Sequence, residues 1–165
     1  MIDDEELSIQ IQGCSIVRNL LYKTQDDIKE FLDNIGGENL IKKLCAKLSL
    51  LNFSLITQCL YCLCNIASGN DKEKAAIINS DLFKFIPDFL KSTDRNVKVA
   101  TLWLVINLFS KIKKHKELVM SKLEPFSETI ETIKNDPADI QMQFIAKKVS
   151  NLMKKKEESK PRKNT

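Results

Sequence analysis

The sequence is poor in the residues that turn a chain. Glycine and proline contribute four residues each to a total of 165, well short of the roughly 12% that the two usually supply. An all-β sandwich or barrel needs a turn every ~8–12 residues and draws on both, so the composition excludes β architectures. Histidine occurs once, at His115, and there is no Gly-x-Ser-x-Gly, no glycine-rich phosphate loop and no paired acids in a recognisable setting. No catalytic constellation can be assembled from what remains, and the expectation is a protein that is not an enzyme and needs no cofactor. Long apolar runs are missing too: the longest near-continuous stretch is 100–109, against the ~18 residues of a membrane span. The first residues, Met-Ile-Asp-Asp-Glu-Glu, lack the basic and then apolar order of a secretory signal. Five cysteines is an odd number at no regular spacing, which does not make a disulfide framework. A reduced compartment, cytoplasm or nucleus, is the expected home.

Charge is unevenly spread. The net +4 hides a balance of +6 within residues 147–165 and −2 over the rest. A nearly neutral body gives no basic face for nucleic acid, so none is expected as a partner, and no membrane either. At 43% hydrophobic and 29% charged, the composition is that of a folded chain.

Four segments share one pattern, with apolar positions at helical spacing and then Asn followed by Leu or Ile. They end at Asn19-Leu20, Asn65-Ile66, Asn107-Leu108 and Asn151-Leu152, and the asparagines are 46, 42 and 44 residues apart. A period near ~40–47 with about three helices per unit marks a helical solenoid, in which each unit buries its apolar faces only by stacking on its neighbours. Between these segments the periodicity predicts helices at 26–35, ended by Gly36-Gly37, and 38–51, with Ser54 capping the helix that follows. Further helices are expected at 71–79 and 82–91, another after Ser92-Thr93-Asp94, then at 115–123 and 126–134, and a last one opening at Asp136-Pro137. Pro87 falls inside the 82–91 segment, where it removes a hydrogen bond unless the helix begins late or kinks. The expected organisation is a lone third helix in 1–24, repeats at 25–69, 70–112 and 113–153, and a basic disordered tail at 154–165. Leu7, Ile11, Cys14, Val17, Leu20 and Leu21 of the first helix need cover on both sides. With nothing upstream to cover the outer one, a stacking partner or missing repeats are expected there.

The residues resemble a known family. Trp103-Leu-Val-Ile-Asn107 and Tyr61-Cys-Leu-Cys-Asn65-Ile-Ala-Ser-Gly69 are similar to the third helix of armadillo repeats, where an aromatic sits four residues before the Asn. Ile16-Val-Arg-Asn19-Leu-Leu, Leu60-Tyr61 through Gly69, and Ser80-Asp81-Leu82 followed by Asn107-Leu108 more closely resemble the C-terminal half of the armadillo repeat-containing protein eight family. The resemblance runs from about residue 9 to about residue 112 and fades through the last unit. It implies an all-α, right-handed armadillo solenoid of three three-helix repeats plus one preceding helix. It further implies a scaffold subunit of the GID/CTLH ubiquitin ligase, acting in proteasomal degradation. Its partners would be other ligase subunits, and a segment of the substrate receptor would lie in its concave groove. Members of that family are much longer than this chain.

In armadillo stacks the third helices line the concave face, which would align Asn19, Asn65, Asn107 and Asn151 along one groove. An amide can pair with both N–H and C=O of an extended peptide; alternatively these asparagines bond to their own helices or loops. Tyr61 and Trp103 share the helix face of Asn65 and Asn107, and either form slots for aliphatic or cationic side chains or belong to the core. The equivalent positions are Ser15 and Lys147, an incomplete array that departs from the tryptophan run of nuclear-import receptors. Cys59, Cys62 and Cys64 spell C-x-x-C-x-C, but helical spacing sets Cys64 roughly opposite Cys62 and no fourth ligand is at hand. Buried thiols are the expectation, with no metal site. His115 lies in a solvated basic loop, Lys111–Lys116. The Lys154–Lys163 tail reads as a solubilising end or as a nuclear-localisation segment.

Overall fold

The computed structural model describes residues 1–110 and 115–154. Their regular structure is entirely helical: α1 (Leu7–Leu20), α2 (Gln25–Ile35), α3 (Gly37–Lys47), α4 (Phe53–Ile66), α5 (Asp71–Ile78), α6 (Ile86–Lys91), α7 (Arg95–Phe109), α8 (Lys116–Leu123), α9 (Ser127–Asn135) and α10 (Ile140–Lys154), with 3₁₀ turns at Asp81–Lys84 and Glu124–Phe126. Helices α1, α4, α7 and α10 stack on one another in that order, while α3, α6 and α9 back onto α4, α7 and α10.

Local chemistry sets the boundaries. Thr24 opens α2 through a capping box, accepting from the Asp27 amide while Asp27 accepts from the Thr24 amide, so two otherwise orphaned donors are satisfied at once. The turn from α2 into α3 runs through Gly36 at φ 77°, a left-handed conformation that favours glycine. The cap of α4 is Asn52, whose side chain accepts from the Leu55 amide at 2.9 Å. Ser54, expected in that role, lies inside the helix. Asp94 caps α7 through the Val97 amide at 3.0 Å.

Proline explains two other departures. The 82–91 segment is divided: a 3₁₀ turn ends at Lys84, and α6 starts at Ile86 with Pro87 in its first turn, where no amide hydrogen is needed. Asp136-Pro137 does not open α10. Asp136 accepts from the Ala138 amide at 2.9 Å in a tight turn, and Asp139 caps the helix through the Met142 amide at 2.9 Å. The third helix of the first full unit is preceded by an α3 that stops at Lys47 rather than 51, because the chain must turn through 48–52 to reach the Asn52 cap.

The core is one continuous apolar cluster running from Cys14 to Val149. Nine of the fourteen residues of α4 and nine of the fifteen of α7 are buried, but only Gly13 and Cys14 of α1. The inner helices of the stack are thus covered on several sides and the first on one.

That first helix is not wholly bare, contrary to the sequence expectation. Residues 1–6 fold back across it. Ile2 packs against the core, and a Cβ at Gly13 would lie 3.1 Å from the Ile2 nitrogen and the Met1 backbone, so the segment crosses where α1 has no side chain. Gln10 Nε2 donates to the Asp4 carbonyl at 2.7 Å, and Asp3 pairs with Lys43 at 2.5 Å. The neighbouring Lys43 ammonium holds the Asp3 carboxyl below its ordinary pKa. The cover is partial: Leu7, Ile16 and Leu20 remain 41%, 48% and 44% exposed. The expected tail from 155 onward, and most of the Lys111–Lys116 loop, lie outside the described residues.

Candidate functional site

The four asparagines take up three different arrangements. Asn65 Nδ2 donates to the Arg18 carbonyl at 2.9 Å, and Asn107 Nδ2 donates to the Cys64 carbonyl at 2.9 Å and lies 3.2 Å from its Sγ. Each amide therefore reaches back to the preceding helix of the stack and binds the residue just before that helix's own asparagine. A helix end explains the choice. At the close of α4, the carbonyls of Leu63, Asn65 and Ile66 accept from Ala67, Ser68 and Gly69; Cys64 is passed over. At the close of α1, Val17 and Asn19 accept from Leu21 and Tyr22, and Arg18 is passed over. The last four carbonyls of any helix need partners from outside it, and here the next repeat supplies one.

The outer two asparagines are placed differently. Asn19 is exposed and accepts from Arg18 of its own helix at 3.3 Å. Asn151 is exposed, with no amide hydrogen bond among the described residues. Its counterpart carbonyl, Ile106, already accepts from the Ser110 amide at 3.0 Å, so the position equivalent to Arg18 and Cys64 is already engaged in α7. Of the two readings of this ladder, bonding within one helix describes Asn19 alone. For Asn65 and Asn107 the bond crosses between repeats, which sequence reasoning missed. It leaves the Oδ1 of each half-buried amide, and the second N–H of Asn65, without a partner among the described residues.

Tyr61 and Trp103 sit partly buried beside these amides, packed against the core, so slot and core describe opposite faces of the same rings. Their open faces meet the chain's own cations. The Arg18 guanidinium stands 6.0 Å from the Tyr61 ring centre. Lys148 Nζ lies 5.3 Å from that of Trp103 and 4.4 Å from that of Phe144. Sequence reasoning overlooked Arg18 and Lys148, although both fall one to three residues before a ladder asparagine. Burial pushes the Tyr61 phenol above its ordinary pKa. Ser15 is half-buried and Lys147 exposed at the positions where an aromatic is absent.

The cysteines do not converge. Cys14 and Cys59 sulfurs are 3.8 Å apart and Cys62 Sγ donates to the Cys14 carbonyl at 3.1 Å, both toward α1. Cys64 faces α7 through Asn107. Burial pushes the Cys64 thiol up to about 12 and also raises that of Cys62, which keeps both protonated and poor as nucleophiles or ligands. Among the described residues no cluster of three or more His, Cys, Asp or Glu side chains forms a metal site.

One buried group went unnoticed in the sequence. Lys74 is 1% exposed, and its ammonium donates to the carbonyls of Ala67 at 2.6 Å and Gly69 at 3.0 Å, just past the end of α4. A cation there offsets the negative end of the helix dipole. The signal was present: Lys74 shares a helix face with Ile77 and Ile78.

A cleft of about 460 Å³ lies between α2, α3 and α5, lined by Leu32, Asp33, Glu38 and Lys72 among others. Asp33 is bound there to Lys29 and Lys72, so its charge is already matched.

Against solved structures the chain superposes on an engineered protein from a structural genomics consortium with a TM-score of 0.79 at 19% identity, over 93% of this chain and 60% of that one. It superposes equally, at TM-score 0.79 and 16% identity, on a designed armadillo repeat protein in complex with the peptide (KR)4, over 92% of this chain and 61% of that one. A second designed armadillo repeat protein gives a TM-score of 0.79 at 13% identity, over 92% of this chain and 61% of that one. The fold is an armadillo solenoid. The chain spans about three fifths of the length of these proteins. No family model matches the sequence, and no curated protein does. In an armadillo solenoid α1, α4, α7 and α10 correspond to the third helices of the repeats, and the two inter-repeat amides and the two cation-covered rings stand on these stacked helices.

Proposed function

We propose that this armadillo solenoid is a non-catalytic protein-binding scaffold that holds an extended segment of a partner along its third helices. The observation that carries the reading is the pair Asn65 and Asn107. Both amides are fixed at one end to a neighbouring helix and keep their carbonyl oxygen uncommitted at the other, with a second N–H to spare at Asn65, beside Tyr61 and Trp103. An extended peptide presents N–H and C=O groups to such a row, each bond contributing about 0.5–1.5 kcal/mol net. Fold alone does not assign function, and the reading rests on these side chains.

The finer reading is membership of a GID/CTLH-type ubiquitin ligase, as a scaffold subunit acting in proteasome-dependent degradation in cytoplasm and nucleus. It is supported by the Ile16–Leu21, Leu60–Gly69 and Ser80–Leu82 motifs and their spacing. A second reading, a structural piece of a larger assembly, is favoured by the exposed Leu7, Ile16 and Leu20 on α1. A tagged chain expressed in cells separates these. Recovery of the ligase's catalytic and receptor subunits in stoichiometric amounts supports the first, importins or cargo point to a transport adaptor, and self-association alone points to the structural piece.

A further inference from the structure

The four third helices carry no carboxylate. Their sequences, LSIQIQGCSIVRNL, FSLITQCLYCLCNI, RNVKVATLWLVINLF and IQMQFIAKKVSNLMK, contain six cations (Arg18, Arg95, Lys98, Lys147, Lys148 and Lys154) and no Asp or Glu. The body's many acids stand elsewhere, on the first and second helices of each unit and on the loops. Of the acids that flank these helices, Asp94 and Asp139 cap α7 and α10 and Asp139 is also bound by Arg95 at 2.5 Å, while Glu5 and Glu6 precede α1, Glu6 accepting from Ser8 at 3.4 Å. Glu131 of α9 accepts from Ser150 at 2.5 Å and from Lys154 at 3.1 Å, as well as from Lys134.

The aromatic faces carry the second half of the argument. A ring that receives a ligand's lysine or arginine must present an open face. Here Arg18 stands over Tyr61 and Lys148 over Trp103 and Phe144, so both faces already hold a cation. An incoming basic side chain would meet a filled site and a like charge. A carboxylate would meet a cation whose flexible stem is steadied by the ring.

We propose that the groove selects an acidic extended peptide. This rests on the peptide-groove reading above and adds the charge of the ligand, opposite to that of the basic peptide named with the designed neighbour. Helices packed at ~8–10 Å make the four-helix face about 30 Å long, which eight extended residues nearly span at ~3.3 Å each. Arg18 and Lys148 over the rings and the exposed Lys147 beside them are three cations, too few for the ~6–10 phosphate contacts of a nucleic-acid site. The partly committed amides of Asn65 and Asn107 suit a peptide backbone.

The test is fluorescence anisotropy of the full chain with labelled (Asp-Glu)4, (Lys-Arg)4, (Gln-Ser)4 and a twenty-nucleotide oligothymidylate, at low and at raised salt. The expected result is that (Asp-Glu)4 binds at least about tenfold tighter than (Lys-Arg)4, with a preference that shrinks as salt rises. Reversal of both cations, Arg18→Glu with Lys148→Glu, should abolish that preference and let (Lys-Arg)4 bind. Equal or tighter binding of the basic or neutral peptide overturns the charge assignment while the groove reading survives. Tighter oligothymidylate binding replaces the peptide by a nucleic acid, and binding of none of the probes removes both readings. Should the double variant fail to fold by circular dichroism, the series on the unaltered chain still decides.

Discussion

Replacing Asn107 with alanine removes the hydrogen bond that joins α7 to the end of α4. The bond alone contributes about 0.5–1.5 kcal/mol, but a buried acceptor left without a partner raises the loss to about 1–3 kcal/mol. Cys64 is 6% exposed and the backbone amides that follow it bond to Leu63, Asn65 and Ile66 instead of to its carbonyl, so water replaces the lost donor poorly. A loss near 2 kcal/mol follows. Asn65→Ala breaks the same bond to Arg18, but that residue is half-buried, and solvent can reach its carbonyl; about 1 kcal/mol is expected. Asn151→Ala touches no inter-repeat bond and should stay within about 0.5 kcal/mol. Urea unfolding followed by circular dichroism at 222 nm measures all three, provided the m-value is common to the set. At about 2–4 °C per kcal/mol for a chain of this size, Asn107→Ala should lower Tm by roughly 4–8 °C. Equal losses at the three positions, or a loss at Asn151 matching that at Asn107, would refute the helix-end account of the ladder.

Three further outcomes are expected. Lys74→Ala strips the Ala67 and Gly69 carbonyls of their buried donor and removes three methylenes, costing about 2–4 kcal/mol in the same urea assay. Gly36→Ala meets no atom within 4 Å, so its cost is that of a left-handed backbone alone, about 1–2 kcal/mol; a neutral result would show that the turn relaxes. The Lys134 ammonium, Ser150 and Lys154 together hold the Glu131 carboxyl down to about 2. A depressed carboxyl stabilises the fold above its unfolded pKa of ~4.3 and loses that contribution as pH falls toward ~2. Acid titration should therefore loosen α9 and α10 in that window, read by the emission of Trp103 under Lys148, and Glu131→Gln should flatten the response.

The stack was legible because it repeats. Asparagines 46, 42 and 44 residues apart, each closing an apolar helical stretch, locate all four third helices to within a few residues at either end. Boundaries that rested on a lone cap or proline fared less well. Ser54 and Asn52 are both competent caps, and only packing of α3 decides that the chain needs room to turn before Phe53. Asp136-Pro137 has the composition of a helix start and also that of a turn, and Arg95 reaching to Asp139 favours the turn. Of the candidate site, the residue types on the stacked third helices could be read from spacing, but their partners could not. Arg18 meets Tyr61, and Lys148 meets Trp103, across repeats 43 and 45 residues apart in sequence. Such contacts depend on how helices sit against each other, which no single-helix period records. The strap of residues 1–6 was missed for the same reason: its fit depends on the absence of a side chain at Gly13, on the helix it crosses.

The inter-repeat bonds bear on recognition as well as stability. A free amide side chain must give up rotamer freedom to hold a ligand, at about 0.5–1.5 kcal/mol for each group immobilised. Asn65 and Asn107 are fixed before any ligand arrives, because one N–H is bound to the preceding helix. What they offer a peptide costs little further ordering. Asn19 is turned toward its own Arg18, and Asn151 has no such anchor, so each would have to be ordered by the ligand itself. The central two rungs should then supply most of the backbone affinity and the outer two little, even though all four stand in equivalent positions of the repeat. Affinity would thus be concentrated where the solenoid is best packed, at the α4–α7 junction, and the ends would contribute through charge, Arg18 at one side and Lys147 and Lys148 at the other.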